Sequence, residues 1–120
     1  MPSDYLAEFE LLVMLAALRL GAEEAYTVSI AADIEERTRR SVRRANVYTT
    51  LQRLEKKGMV STRLGEGRPE RGGKPRRLVS VEPAGLDAVR ATTGAIRSMA
   101  GGLDGVIDAG RGAVAGDAEG

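Results

Sequence analysis

Arg43-Arg44-Ala45-Asn46-Val47-Tyr48-Thr49-Thr50-Leu51-Gln52-Arg53-Leu54-Glu55-Lys56-Lys57-Gly58-Met59-Val60 is the segment that the remainder of the chain is arranged to hold. At the helical repeat, Val47, Leu51 and Leu54 share one face, the spacing of a helix that buries a single stripe. Asn46, Thr49 and Arg53 turn away from it, with Thr50 and Lys57 on one flank and Lys56 on the other. Lys56 and Lys57 suit a last turn, where cations complement the helix dipole. Gly58 suits the position just past the end. The inner face is a core anchor. The outer face carries amide, hydroxyl and guanidinium groups, which can hydrogen-bond base edges and phosphates. A merely solvated helix has the same look, so the neighbouring segments must choose between the two.

Downstream, Val60-Ser61-Thr62-Arg63-Leu64 and Arg77-Leu78-Val79-Ser80-Val81 both alternate as half-buried strands do. Between them run Gly65 to Arg76, with four glycines and two prolines, too long and too basic for a simple hairpin turn. Five basic residues lie between Arg68 and Arg77. A mobile, solvated linker is the plainer reading of this loop. A two-stranded ribbon with a basic tip, placed directly after a polar-faced helix, is instead the plan of a winged helix.

Upstream, Val28 to Thr38 read as a helix with Thr27 as cap and Ile30, Ala31 and Ile34 inward. Glu36 and Arg40 stand at i, i+4 and can pair. Tyr26 is expected to be buried, in a very short strand. Two short helices joined by a tight turn, the second with the polar outer face, form a helix-turn-helix. Before them, Tyr5 to Leu20 form a first helix, capped by Ser3 or Asp4, and every residue from Leu11 to Leu18 is apolar. One small core cannot easily surround such a helix, so a partner subunit is expected on its second side.

After the ribbon, Pro83 suits a first helical turn. Leu86, Val89, Thr93, Ile96, Ala100, Leu103 and Ile107 then follow at spacings of three and four, a heptad seam. Gly94, Gly101 and Gly102 oppose it, at about 1 kcal/mol each relative to alanine. Burial of the seam against a partner is expected to carry the helix on to Ile107. The expected fold is therefore mainly α with a small β-ribbon: a winged helix-turn-helix plus a C-terminal dimerisation helix. Its divisions fall at 1–82 for the DNA-binding unit, 83–108 for the dimerisation helix, and 109–120 for a flexible tail.

Composition narrows the chemistry. A chain of 120 residues holds one modest core. It has no cysteine and no histidine, which removes disulfides, thiolate metal sites and the usual general base near neutral pH. No catalytic triad or carboxylate pair has a recognisable spacing, so no enzyme, cofactor or metal is expected. The start lacks a positive leader and no apolar run is long enough to span a bilayer, so a cytoplasmic protein without a membrane partner is expected. Net charge is only +1, yet Arg37 to Arg77 hold fourteen basic residues against three acidic ones. A basic middle on an acidic body is the footprint of a polyanion-binding face. Nucleic acid is the first candidate. A membrane surface comes second, since no basic amphipathic helix with large apolar residues is present. Against double-stranded DNA, the alternative is a winged helix that uses its basic face for a protein or RNA partner.

The runs Leu6-Ala7-Glu8-Phe9-Glu10-Leu11-Leu12-Val13, Glu35-Glu36-Arg37-Thr38, Val47-Tyr48-Thr49-Thr50-Leu51 and Arg53-Leu54-Glu55-Lys56-Lys57-Gly58, with the wing Pro69 to Arg77, resemble the PadR family of transcriptional regulators. The resemblance covers roughly Leu6 to Met99. It implies a repressor that dimerises through its first and last helices and binds DNA through its third helix and wing. It also implies DNA binding that is often relieved by a small aromatic or amphiphilic ligand. Two positions depart from the pattern: Thr27 stands where many relatives have glycine, and Arg43 stands where a serine cap is usual, leaving Ser41 nearby.

On these grounds the DNA-binding candidates are Arg43, Arg44, Asn46, Tyr48, Thr49, Thr50 and Arg53 on the helix, with Arg71, Lys74, Arg76 and Arg77 on the wing. Asn46, Thr49, Thr50 and Arg53 are expected to meet base edges, and the wing residues to follow the backbone or enter the minor groove. The two-fold dimer interface is expected at Leu12, Met14, Leu15, Ile96, Met99 and Leu103. Any effector is expected between the first and last helices near Phe9, Met14 and Met99, with Tyr5 offering a hydroxyl, although the same residues suit an ordinary core.

Overall fold

The computed structural model describes residues 5–66, 75–110 and 115. Three helices come first: α1 (Glu8–Leu20), α2 (Thr27–Thr38) and α3 (Arg44–Lys56). Strands β1 (Val60–Leu64) and β2 (Arg77–Val81) follow, then α4 (Pro83–Ala100) and the short α5 (Asp104–Ala109). The strands pair antiparallel, from Val60 opposite Val81 to Leu64 opposite Arg77. Among the described residues, no helix is long and apolar enough to cross a membrane.

α1 is the central strut, packing against α2, α3, β2 and α4. Val13, Met14, Ile30, Val47, Leu54 and Val79 are completely enclosed, so one core is shared by three helices and the ribbon. Ile30, Ala31 and Ile34 face inward from α2, as their spacing predicts. The backbone N–H of Val79 donates to the carbonyl of Ala25 at 2.8 Å, which ties the ribbon to the connection before α2. This single bond stands where a short strand is expected at Tyr26, and the Tyr26 side chain is half-buried rather than enclosed.

Helix ends differ from expectation in instructive ways. α1 begins at Glu8, not Tyr5, because Ala7 is extended and its N–H is taken by the Glu10 carboxylate at 2.9 Å. Ser3 and Asp4, the expected caps, lie outside the described residues. At α2, Ser29 rather than Thr27 supplies the cap: its hydroxyl accepts from the Tyr26 N–H at 3.0 Å and donates to the Glu24 carbonyl. α2 ends in the left-handed Arg39, at φ 62°, so Arg40 has left the helix and cannot pair with Glu36. Arg40 instead reaches Glu8 of α1 at 3.2 Å, while Asp33 holds both Arg19 and Arg37.

The last helix is not continuous. α4 stops at Ala100, and Gly101-Gly102 breaks the axis, with Gly102 at φ +81°, before α5 resumes at Asp104. Among the described residues the seam beyond Thr93 is largely exposed, so burial offsets little of the glycine penalties. Ile96 is 55% exposed and Met99 80% exposed, and Leu103 and Ile107 also face outward. Leu12 and Leu15 are half-buried against the core. Met14 must be removed from the interface candidates. It is fully enclosed, with its Cε at 2.6 Å from where a Cβ would stand on Gly85. Met99 lies fourteen residues further along α4, roughly 20 Å at the helical rise, so Met14 and Met99 do not line one cavity within a subunit. Tyr5 is exposed and Phe9 half-buried. Of the expected tail, Ala109 and Gly110 close α5, and nearly all the remainder lies outside the described residues.

Candidate nucleic-acid interface

α3 follows an extended Arg43 that provides no side-chain cap, and neither does Ser41. The helix is held from beneath instead, by the buried Val47, Leu51 and Leu54. Each such side chain contributes roughly 1.5–3 kcal/mol on burial, enough to fix the helix without a cap worth about 1 kcal/mol. The far end closes as its residues suggest: Gly58 is left-handed at φ +77°, and the Met59 N–H donates to the Leu54 carbonyl at 2.9 Å.

The outer face of α3 exposes Arg43, Arg44, Asn46, Tyr48, Thr49 and Arg53, all expected there. Thr50 is a correction. It is only 5% exposed and cannot meet a base edge. It follows Val47 by three and precedes Leu54 by four, which places it on the buried side of the helix. Two residues on the same outer face are absent from the sequence-based candidates: Gln52 and Lys56. With Thr49 and Arg53 they line a shallow groove of about 330 Å³. Gln52 stands four residues after Tyr48, and its amide donates to the Tyr48 hydroxyl at 3.3 Å. That spacing is the signal by which the sequence could have found it.

A second cleft, of about 310 Å³, separates α3 from the ribbon, with Leu51 and Val79 among its apolar walls. Polar groups cross it in series. Arg77 Nη1 donates to Thr62 Oγ1 at 3.1 Å, and Thr62 Oγ1 donates to Glu55 Oε2 at 3.1 Å. Arg77 is therefore engaged at the loop end of the ribbon, opposite Leu64, rather than free on the loop. Arg76 is likewise held, its guanidinium 4.8 Å from the centre of the Tyr26 ring, a cation–π contact. Arg71 and Lys74 lie outside the described residues. Arg63 binds the Ala22 carbonyl and Glu23, a second tie between ribbon and α1–α2 connection.

One acidic residue enters the basic face from behind. Glu10 of α1 is buried, and its Oε2 lies 3.5 Å from Lys57 Nζ and 3.7 Å from Arg53 Nη1. No spacing rule could reveal this, since the partners are more than forty residues apart in the chain.

The geometry is that of a helix-turn-helix whose second helix offers a polar, cationic face beside a two-stranded wing. Solved structures with the same fold include a PadR family transcriptional regulator from Eggerthella lenta, at TM-score 0.63 and 22% identity, covering 84% of this chain and 87% of that one. A transcriptional regulator from Clostridium thermocellum matches at TM-score 0.61 and 17% identity, covering 83% and 89%. No curated protein sequence matches the chain. The family model of the PadR-like transcriptional regulators matches residues 14–91, well over half of the chain, which takes in α2, α3, the ribbon and the start of α4. The chain thus belongs to the PadR-like family of transcriptional regulators, which are DNA-binding winged-helix proteins.

Proposed function

We propose that this regulator is a cytoplasmic repressor that binds a pseudo-palindromic operator as a homodimer, reading bases with α3 and anchoring through the wing. The observation that carries the reading is the division of α3 into a buried stripe and an exposed face. Val47, Leu51 and Leu54 are enclosed, while Asn46, Thr49 and Arg53 stand outward together. Arginine can bond guanine bidentately, asparagine can bond adenine, and a threonine methyl can meet thymine. Residues 1–82 would carry this surface, and the helical arm from residue 83 would carry the dimer contact.

The dimer rests on the arm's apolar surface. Ile96, Met99, Leu103 and Ile107 are exposed on the arm, while Leu12 and Leu15 of α1 are half-buried. A cluster of this kind is rarely left in water by a soluble protein. An apolar or aromatic effector, where one acts, would enter between the first and fourth helices of the dimer.

Selection of duplexes from a random-sequence library by the wild-type protein, followed by footprinting, tests the reading. A pseudo-palindrome is expected, with half-sites about one helical turn, or a multiple of it, apart. Failure to enrich any sequence, or enrichment of a lone half-site, would overturn it.

A further inference from the structure

Glu10 sits where a carboxylate would ordinarily weaken a DNA-binding face. Its side chain is only 8% exposed, whereas those of Arg53 and Lys57 are about half exposed, at 50% and 46%. The acid is thus the fixed member of the group: Lys57 donates a long hydrogen bond to it at 3.5 Å, and Arg53 faces it as an ion pair at 3.7 Å. Its oxygens have separate duties. Oε1 accepts the Ala7 N–H at 2.9 Å and starts α1, while Oε2 faces Arg53 and Lys57. A guanidinium has five donors in a rigid plane, so an ion pair through Nη1 leaves the Nε–Nη2 edge available for a base. An untethered arginine on a helix surface samples many rotamers, and ordering it on binding is costly.

We propose that Glu10 is a positioning residue for DNA recognition: it holds Arg53 in a reading posture and withholds part of the charge of Arg53 and Lys57 from the phosphates. Glu10 therefore lowers affinity for random DNA and raises discrimination. The inference rests on the reading that Arg53 meets DNA. It assigns a role on the DNA face to a residue of α1, a helix that itself stays off the duplex.

The test is Glu10→Gln, which keeps an acceptor for the Ala7 N–H and puts a neutral amide nitrogen in place of the charged Oε2 that faces Arg53 and Lys57. Wild type, Glu10→Gln and Arg53→Ala are titrated against the duplex that wild type selects from a random library, and against a scramble of equal composition. Glu10→Gln is expected to bind the scramble about three- to tenfold more tightly at low salt, with a salt slope steeper by about one. Its ratio of selected to scrambled affinity should fall at least about fivefold, the smallest effect expected of a displaced bidentate bond. A folded Glu10→Gln dimer with unchanged slope and ratio would overturn the proposal, since a purely structural role alters only the melting temperature. If Arg53→Ala also keeps the wild-type ratio, the DNA reading of Arg53 fails first; if Arg53→Ala loses it and Glu10→Gln does not, only the role of Glu10 fails. Should Glu10→Gln not fold, nitrogen-15 spectra of wild type decide. Separate Nη resonances for Arg53 show a held guanidinium, and a single averaged resonance contradicts it.

Discussion

The backbone N–H of Leu6 donates to Thr92 Oγ1 at 2.9 Å, joining the segment before α1 to the middle of α4 across 86 positions of sequence. The same hydroxyl donates to the Ala88 carbonyl at 2.8 Å, so Thr92 is satisfied in both directions while buried. The two elements proposed to form the dimer contact are thereby fixed to each other before any partner arrives. Thr92→Val keeps the shape and strands the Leu6 N–H. A destabilisation of about 1–3 kcal/mol is expected, read as an earlier denaturant midpoint with an unchanged slope. Thr92→Ser should retain most of the stability. An unaltered midpoint in Thr92→Val would show that the bond does not matter.

Gly85 is the point at which α4 lies against the core. A Cβ there would collide with the Met59 carbonyl and stand 2.6 Å from Met14 Cε. The carbonyl belongs to backbone that is itself engaged, accepting from the Glu82 N–H at 2.9 Å, so it cannot readily move aside. Gly85→Ala is expected to destabilise by at least about 1–3 kcal/mol, despite alanine's better helix propensity. Gly94→Ala, with open space around its Cα, should be neutral or mildly stabilising. Paired thermal melts of the two variants check the contrast, and equal effects would contradict it.

Much of this architecture is legible in the residues. The alternation of Val60 to Leu64 and Arg77 to Val81 places both strands at their observed bounds, because a period of two bounded by Gly58 and Gly65, and by Pro75 and Pro83, has few other solutions. The 3.6-residue repeat of Val47, Leu51 and Leu54 also identifies the anchor of α3. Thr50 has side-chain chemistry that suits DNA, but its spacing to Val47 and Leu54 assigns it inward, and spacing is the better guide to which face a helical residue takes. Met14 could not be placed from a wholly apolar run. Which side of α1 meets the core depends on the gap left by Gly85, a tertiary fact. The break at Gly101-Gly102 reflects local propensity prevailing where one subunit offers the seam little burial. Glu10 beneath Arg53 was out of reach for the same reason as Met14: only the packing of α1 on α3 brings them together.

The proposed dimer would cover the exposed arm. Light scattering at micromolar concentration should give twice the 12.7 kDa chain mass. Ile96→Glu with Met99→Glu should shift that mass toward the monomer without unfolding the winged helix, because both side chains are exposed within the subunit. Deleting residues 109–120 should leave the dimer intact. A stable monomer for wild type would sink the dimer reading, and a deletion that dissociated the dimer would place part of the interface in the tail.

The division of labour between α3 and the wing is best tested by titrating Arg53→Ala and Lys74→Ala against the selected duplex and its scramble at two salt concentrations. Arg53→Ala is expected to cost roughly 1–3 kcal/mol on the selected duplex and to relax base preference at one position per half-site. Lys74→Ala should weaken both duplexes about equally and flatten the salt slope by about one for each phosphate that the wing no longer neutralises. A Lys74→Ala variant without selectivity, beside an Arg53→Ala variant that keeps it, would contradict this assignment and make the wing the reader.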